Sequence, residues 1–142
     1  QFETVGGRIV YGGGGIFPDV FIPLDTTGNS AFLAALTYSP VFSEFAFNYV
    51  DQNRKALNQN RNAQDFAMTF DLSDKIFNQF IEFAQNAHNI KPSVPGIKAS
   101  KERIKTRLKI QIASNVWGDD GRYAILVQKD SEIIRAIKEI TK

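Results

Sequence analysis

The clearest helical pattern in the chain lies between residues 39 and 57. Ser39 can act as an N-cap and Pro40 can occupy the first helical position, where its missing N–H costs nothing. We therefore predict a helix that runs to about Leu57. Its apolar residues follow the i, i+1, i+4, i+8, i+9 spacing of one buried face: Val41, Phe42, Phe45, Tyr49 and Val50.

Two further stretches show the same period. Asn29 or Ser30 can cap a short helix, and Asp71 or Ser73 can cap a longer one. The polar stretch between them, Asn58 to Gln64, predicts an exposed link. The apolar positions are Phe32, Leu33 and Leu36 in the first helix, and Ile76, Phe77, Phe80, Ile81, Ala84 and Ala87 in the second.

The C-terminal third predicts further helices. Lys91–Gly96 contains two prolines and cannot continue the preceding helix, so we predict a loop or linker there. Ser100 can cap the next helix, which Trp117-Gly118 closes. Asp119-Asp120 and Asp130-Ser131 offer two further N-caps. The apolar faces comprise Ile104, Leu108, Ile112 and Val116, and then Ile133, Ile134, Ile137 and Ile140.

The first 25 residues follow a different pattern. Three β-prone stretches are separated by Gly6-Gly7 and by the run Gly12–Gly15, and the polar turn cluster Asp25–Ser30 follows them. These stretches are Phe2 to Val5, Arg8 to Tyr11 and Asp19 to Pro23. We therefore predict a mainly α fold in which residues 1–25 form a short β-hairpin or strand segment and residues 26–142 form a helical domain.

Composition narrows the chemistry. The 142 residues suffice for one domain with its own core. The absence of cysteine excludes disulfides, thiolate nucleophiles and cysteine-ligated zinc. The sequence has no run of about 20 apolar residues, so we expect no membrane insertion by this segment. The chain does not begin with Met, and we expect it to be part of a longer polypeptide.

Three features could carry chemistry, and each has a simpler structural interpretation. The glycine run lacks the Lys-Ser or Lys-Thr of a phosphate-binding loop, and Pro18 opposes the helix that a dinucleotide site needs. His88 is the single histidine, and its predicted place near a helix C-terminus, where the helix dipole favours it, is the simpler interpretation. Adjacent Asp119 and Asp120 would point their carboxylates apart, so an N-cap role suits them better.

The strongest charge cluster is a basic helix. Its cations alternate with apolar positions, which favours a solvated face of an amphipathic helix over a phosphate-binding surface. The six cations, which we call the basic stripe, are Lys98, Lys101, Arg103, Lys105, Arg107 and Lys109. The net charge of +2 is too small to indicate a polyanionic partner by itself.

The segment from Phe2 to Val20 resembles part of the carboxyl-terminal processing (tail-specific) serine proteases. The resemblance rests on a strand ending in Thr4, Gly7-Arg8, a glycine linker, and Gly15-Ile16-Phe17-Pro18-Asp19 before another strand. The run Val10 to Asp19 is similar to versions from Bacteroidetes-type bacteria. The stretches Leu108–Gly118 and Tyr123–Ala136 are similar, more weakly, to the helical tail that follows the protease core.

The resemblance implies a parent endopeptidase of the cell envelope or periplasm. In that family a lysine activates a serine nucleophile, often beside a PDZ domain, and both catalytic residues normally lie upstream of the matching segment. We therefore assign no catalytic, metal-binding or cofactor-binding residue here, and no cofactor. As structural elements of the motif we carry over Gly7, Arg8, Gly15, Ile16, Pro18 and Asp19.

The function that the resemblance implies is that of a non-catalytic C-terminal region. We expect it to support or assemble the protease core and to contact that core and the PDZ domain of the same polypeptide. We expect no nucleic-acid partner, and we leave self-association into a homo-oligomer open. The alternative is a stand-alone helical binding module, for which nucleic acid is one conceivable ligand.

Overall fold

The computed structural model describes residues 1–7, 9–13, 20–23 and 25–141. A two-stranded hairpin precedes six helices, so the fold is mainly α, as predicted. The strands are β1 (Phe2–Glu3) and β2 (Ile9–Val10), and the helices are α1 (Ala31–Thr37), α2 (Val41–Leu57), α3 (Ala63–Thr69), α4 (Asp74–His88), α5 (Val94–Lys129) and α6 (Ser131–Ile140).

The N-terminal segment forms an antiparallel hairpin. Phe2 pairs with Val10, and Glu3 pairs with Ile9. Gly7 has a φ of 76° and donates its N–H to the carbonyl of Thr4 at 2.8 Å, which closes the turn. Both strands are two residues long, shorter than predicted. Residues 20–23 contain no strand, while Arg8 and Asp19, the predicted first residues of two strands, lie outside the described residues.

Helix α1 begins as predicted, and α2 does not. The Ser30 hydroxyl accepts the N–H of Leu33 at 3.0 Å. The N-cap of α2 is Pro40, with no capping side chain, and the predicted cap Ser39 instead donates its hydroxyl to the carbonyl of Leu36 at 3.0 Å. Ser39 is therefore used to close α1, and α2 gains its stability from its buried face. The predicted end of α2 at Leu57 is confirmed.

Helix α3 was not predicted. The polar stretch Asn58–Gln64 contains the N-cap Asn62, whose side chain accepts the N–H of Asp65 at 2.8 Å. The Asp65 carboxylate in turn accepts the N–H of Arg61 at 3.2 Å, which resembles a capping box. The fully buried Phe66 anchors the helix in the core. Part of the predicted exposed link is therefore a helix start.

Helix α4 begins at the predicted cap Ser73 rather than at Asp71. The Ser73 hydroxyl accepts the N–H of Ile76 at 3.4 Å. Asn89 ends the helix in the left-handed region with a φ of 53°, and the N–H of Ile90 reaches back to the carbonyl of Ala84 at 3.1 Å. Ala87, which was predicted to lie on the apolar face, is exposed.

Helix α5 begins earlier than predicted. Its N-cap is Ser93, which accepts the N–H of Gly96 at 3.2 Å, and Pro95 lies in the first turn. A proline is tolerated there because the first N–H groups of a helix have no intrahelical partner. The predicted loop Lys91–Gly96 is therefore partly helical. Ser100 is not an N-cap: it is fully buried and donates its hydroxyl to that of Ser30 at 2.7 Å.

A glycine divides α5 into two arms, as the predicted end at Trp117-Gly118 anticipated. Gly118 has a φ of 60° and a ψ of −136°, which is a glycine conformation. The first arm comprises residues 94–117 and the second arm residues 119–129. A Cβ placed on Gly121 would lie 2.3 Å from the carbonyl oxygen of Ala113, so the arms approach at backbone distance. Asp119 and Asp120 are exposed in the first turn of the second arm.

The core surrounds the first arm of α5. Ile104, Leu108 and Ile112 are fully buried, and this helix packs against α1, α2 and α3. Aromatic rings fill much of the remaining space: Phe42 stacks on Phe80 at 4.9 Å between ring centroids, Phe66 on Phe70 at 4.4 Å, and Phe66 packs against Trp117 at 5.0 Å.

Helix α6 has an apolar face that the described chain does not bury. The carboxylate of its N-cap Asp130 accepts the N–H groups of Glu132 and Ile133. Ile134, Ile137 and Ile140 nevertheless remain 37%, 50% and 83% exposed. The predicted isoleucine face exists, but the described residues do not cover it.

Candidate binding groove

The sequence motif contributes one residue to the described structure. Gly7 forms the hairpin turn, and a Cβ there would lie 3.8 Å from Oε1 of Glu3. The other five motif residues, Arg8, Gly15, Ile16, Pro18 and Asp19, lie outside the described residues. Gly7 therefore has a backbone role in this structure.

His88 lies at the C-terminus of α4, as predicted. Its Nε2 is 2.8 Å from Oε2 of Glu44 at the start of α2, and its ring contacts that of Phe83 at 5.8 Å between centroids. The pair links the end of one helix to the beginning of another.

The basic stripe faces its own protein more than the solvent. Nζ of Lys101 and Nζ of Lys105 lie 2.9 and 3.0 Å from the same carboxylate oxygen of Asp74. Hydrogen bonds from Lys101 and then Lys105 hold the pKa of the Asp74 carboxyl below its usual range, and the bond to Asp74 raises the pKa of Lys105. Two cations of the stripe therefore hold the start of α4 against α5.

The next cation holds the turn that precedes α1. The Arg103 guanidinium donates to the backbone carbonyl of Asp25 at 2.7 Å and to Oδ1 of Asn29 at 3.2 Å. The hydroxyl and then the N–H of Thr27 hold the pKa of Asp25 below its ordinary value, and Arg103 acts in the same direction. The predicted turn cluster is thus docked on α5.

Two more cations contact α1, α2 and α3. Arg107 donates to Oγ1 of Thr37 at 3.0 Å and lies over the ring of Phe42. Lys109 donates to the carbonyl of Ala67 at 2.7 Å, and partial burial lowers the pKa of its ammonium. Five of the six cations therefore have intramolecular partners, whereas Lys98 is exposed.

Within the described ranges, no three histidine, aspartate or glutamate side chains are close enough together to hold a metal ion. None of the described helices has the length and apolarity required to cross a membrane.

A groove lies between α2 and α4, and we call it the α2–α4 groove. Its volume is about 360 Å³, and each helix contributes four residues at i, i+3, i+4 and i+7. This spacing places the four residues of each helix on one face. The lining residues are Phe45, Asn48, Tyr49 and Gln52 from α2, and Gln79, Glu82, Phe83 and Asn86 from α4.

Aromatic rings form the floor of the groove. Phe45, 8% exposed, contacts Phe83 edge-on at 5.7 Å between ring centroids and Tyr49 at 6.2 Å. Phe45 also meets the core ring of Phe80 at 5.4 Å, which ties the floor to the core. Burial raises the pKa of the Tyr49 hydroxyl. The floor is therefore continuous with the aromatic core.

Polar side chains form the rim. Asn48, Gln52, Gln79 and Asn86 supply four amides, and Glu82 supplies the single charged group among the lining residues. All five residues are exposed, and none of these side chains hydrogen-bonds to another part of the described chain. The rim therefore presents donors and acceptors that are available to a ligand.

Sequence reasoning did not find this site. The apolar periods of α2 and α4 predict the two helices, but they say nothing about the amides beside them. The available signal was the repetition of an amide or carboxylate next to an aromatic residue, as in Asn48-Tyr49 and Glu82-Phe83.

Together, fold and groove define a mainly α domain with an aromatic floor and an amide rim between two helices. The chain belongs to DUF8443, a family of unknown function, whose model matches residues 32–118. The match begins in α1, includes the α2–α4 groove and ends at the Gly118 break in α5. Neither the curated proteins nor the solved structures contain a significant match.

Proposed function

We propose that this chain is a non-catalytic helical region of a Ser-Lys serine endopeptidase that processes or degrades envelope proteins. Its role is to support or assemble the protease core. The proposal rests on the residue resemblance of the segment from Phe2 to Val20, together with one structural observation.

That observation is the lack of cover over the N-terminal segment. Phe2, Ile9, Tyr11 and Phe21 are 66%, 54%, 74% and 80% exposed. A two-stranded hairpin is marginal without a packed face, and its open edges favour pairing with another sheet. These side chains would be covered if the hairpin continued a β-sheet of the protease core.

The isoleucine face of α6 extends this docking surface. Val20 and Ile22 line a shallow groove of about 320 Å³ together with Arg135 and Ile140 of α6. The N-terminal segment and the last helix therefore lie side by side, and both carry uncovered apolar residues. A single partner, the upstream core, can cover both.

The basic stripe weighs against the alternative of a nucleic-acid-binding module. Phosphate binding requires cations that are free to neutralise phosphates and so displace the counterions condensed on the nucleic acid. Lys101 and Lys105 already share the Asp74 carboxylate, and Arg103 already holds the turn before α1. The stripe acts mainly as an internal tether.

The coding sequence upstream of residue 1 provides the first test. A serine and a lysine in the sequence contexts of the tail-specific proteases are expected there. An initiator codon directly before Gln1 would reject the proposal.

A second test measures peptidase activity of the whole encoded polypeptide. Phe21→Glu combined with Ile137→Glu places charges on the docking surface and is expected to lower activity and thermal stability of the whole polypeptide. Met68→Glu is the matched control, because Met68 is 72% exposed on α3 and does not line the groove that Val20 and Ile22 form with α6. Equal behaviour of the two variants would contradict the proposed docking, and circular dichroism of the 142-residue chain checks that the helices remain.

A further inference from the structure

We propose that the α2–α4 groove binds an extended polypeptide segment that carries an apolar side chain and a basic residue. This inference does not depend on the proposed attachment to a protease. It follows from the length of the groove, the orientation of its rings, its free amides and its single charge.

The site is elongated. From Phe45 to Asn48, Tyr49 and Gln52 the lining extends two turns along α2, or about 10 Å at 1.5 Å per residue. An extended peptide advances about 3.3 Å per residue, so about three residues fit along the groove. Asn48 also lines a second depression, of about 520 Å³, whose lining includes the 62% exposed Phe47. Both depressions include Asn48 in their lining, so a chain that occupies one can extend toward the other.

The orientation of the rings disfavours a sugar. Saccharides stack on an exposed aromatic face. Here Phe45 is 8% exposed, and Phe83 makes edge contacts with both Phe45 and His88 at interplanar angles of 60° and 61°. The rings offer an apolar surface of ring edges, which an aliphatic or aromatic side chain can cover.

The amides match a peptide backbone. Each asparagine or glutamine side chain carries both donors and an acceptor, the complement of the N–H and C=O of a peptide unit. Asn48 and Gln52 are one turn apart on α2, and Gln79, Glu82 and Asn86 follow each other at one-turn spacing on α4. One turn, about 5.4 Å, is close to the repeat of about 6.6 Å between alternate residues of an extended chain.

The charge selects a basic residue. Glu82 is exposed and has no partner among the described residues. Since it is the one charged group that lines the groove, a lysine or arginine of the peptide is the side chain that it would pair with.

The probe is a hexapeptide with blocked ends and the sequence Ser-Leu-Ser-Lys-Ser-Leu, titrated into the ¹⁵N-labelled 142-residue chain. We expect amide shifts in residues 45–52 and 79–86. A twin peptide with N-methylated alternate bonds should bind at least about 5-fold more weakly, because each lost hydrogen bond costs about 2- to 10-fold in affinity.

Three variants test the residues. Asn48→Ala combined with Gln79→Ala should weaken binding by about 5-fold or more. Glu82→Gln should weaken binding of the lysine peptide and leave binding of a norleucine analogue unchanged. Asn78→Ala combined with Gln85→Ala is the matched control, because both residues are exposed on α4 and do not line the groove.

Four results would overturn the proposal. The first is an equal peptide affinity for the Asn48→Ala, Gln79→Ala variant and for the control variant, and the second is an equal affinity for the N-methylated and the unmodified peptide. The third is amide shifts that maltotriose or chitotriose produces and the peptide does not. The fourth is the absence of shifts in residues 45–52 and 79–86 with any of these probes. The assay uses the chain alone, so its outcome is separate from that of the protease tests.

Discussion

Replacing Gly121 with alanine tests the close packing of the two arms of α5. The added Cβ would lie 2.3 Å from the carbonyl oxygen and 2.6 Å from the carbonyl carbon of Ala113. The carbonyl of Ala113 belongs to the helix backbone, so it cannot rotate away as a side chain can. The second arm must therefore move away from the first.

The magnitude follows from three effects. Overpacking costs about 1–3 kcal/mol, and contact with backbone favours the upper part of that range. The higher helix propensity of alanine compared with glycine offsets about 1 kcal/mol of this cost. If the second arm detached instead, the loss of burial at Ile125, now 3% exposed, would cost a similar amount, about 1.5–3 kcal/mol. We expect Gly121→Ala to lower the free energy of unfolding by about 2 kcal/mol.

Urea denaturation followed by Trp117 fluorescence measures this change, because Trp117 is the single tryptophan and adjoins the Gly118 break. The expected fall in Tm is about 6 °C. Gln128→Ala, at an exposed position of the same arm, is the matched control and should stay within about 0.5 kcal/mol of the parent. If Gly121→Ala is as stable as the control, the close approach of the arms is wrong.

Three further predictions concern caps, pH and the N-terminal segment. Asn62→Ala should cost about 1 kcal/mol in urea denaturation, because it removes the cap of α3, and a cost near zero would contradict the capping bond. Because the pKa of Asp74 is lowered in the folded state, the Asp74 carboxylate stabilises the fold above its unfolded pKa, about 3.9, and this stabilisation is lost as the pH falls through the folded value. Asp74→Asn should therefore make the free energy of unfolding less dependent on pH on the acid side. An unchanged pH dependence would refute this. Deleting residues 1–24 should leave helical circular dichroism and Tm nearly unchanged, because the described residues of that segment are exposed or half-buried; unfolding of the truncated chain would place the segment in the core.

Sequence predicted the fold class, the N-caps of α1, α4 and α6, and the helix ends at Leu57 and Gly118. Ser30, Ser73 and Asp130 cap the helices that they were expected to cap. Gly118 interrupts α5 at the position where Trp117-Gly118 was predicted to end the helix. Such signals are readable because a cap bonds to N–H groups two or three residues away and needs no tertiary partner.

Two of the failures depend on tertiary contacts, and a third, Pro95, does not. Asn62 was overlooked because only seven helical residues follow it, too few to show a period, and the burial of Phe66 in the tertiary core stabilises the helix. Ser100 was expected to be a cap, yet its hydroxyl bonds to Ser30, 70 residues away. Pro95 was interpreted as a barrier although it lies where a helix tolerates it.

The groove could not be predicted for a related reason. Its floor requires Phe45 and Phe83, which are 38 positions apart, to meet edge-on, and only the packing of α2 against α4 sets that geometry. The ion pairs of the basic stripe could not be predicted either. The sequence predicts a charged helix face, whereas the pairing of Lys101 and Lys105 with Asp74 depends on where α4 lies relative to α5.

The family match separates the molecule into two parts. It spans residues 32–118 and thus contains both helices of the α2–α4 groove, whereas the hairpin and α6 lie outside it. The uncovered apolar residues Phe2, Phe21 and Ile140 all belong to the outer parts, and the free amides belong to the matched part. If these separate surfaces carry attachment and peptide binding, Phe21→Glu should weaken attachment and leave peptide binding unchanged. Gln79→Ala should weaken peptide binding and leave attachment unchanged. Peptide titration and activity of the whole polypeptide, measured on both variants, would expose any coupling between them.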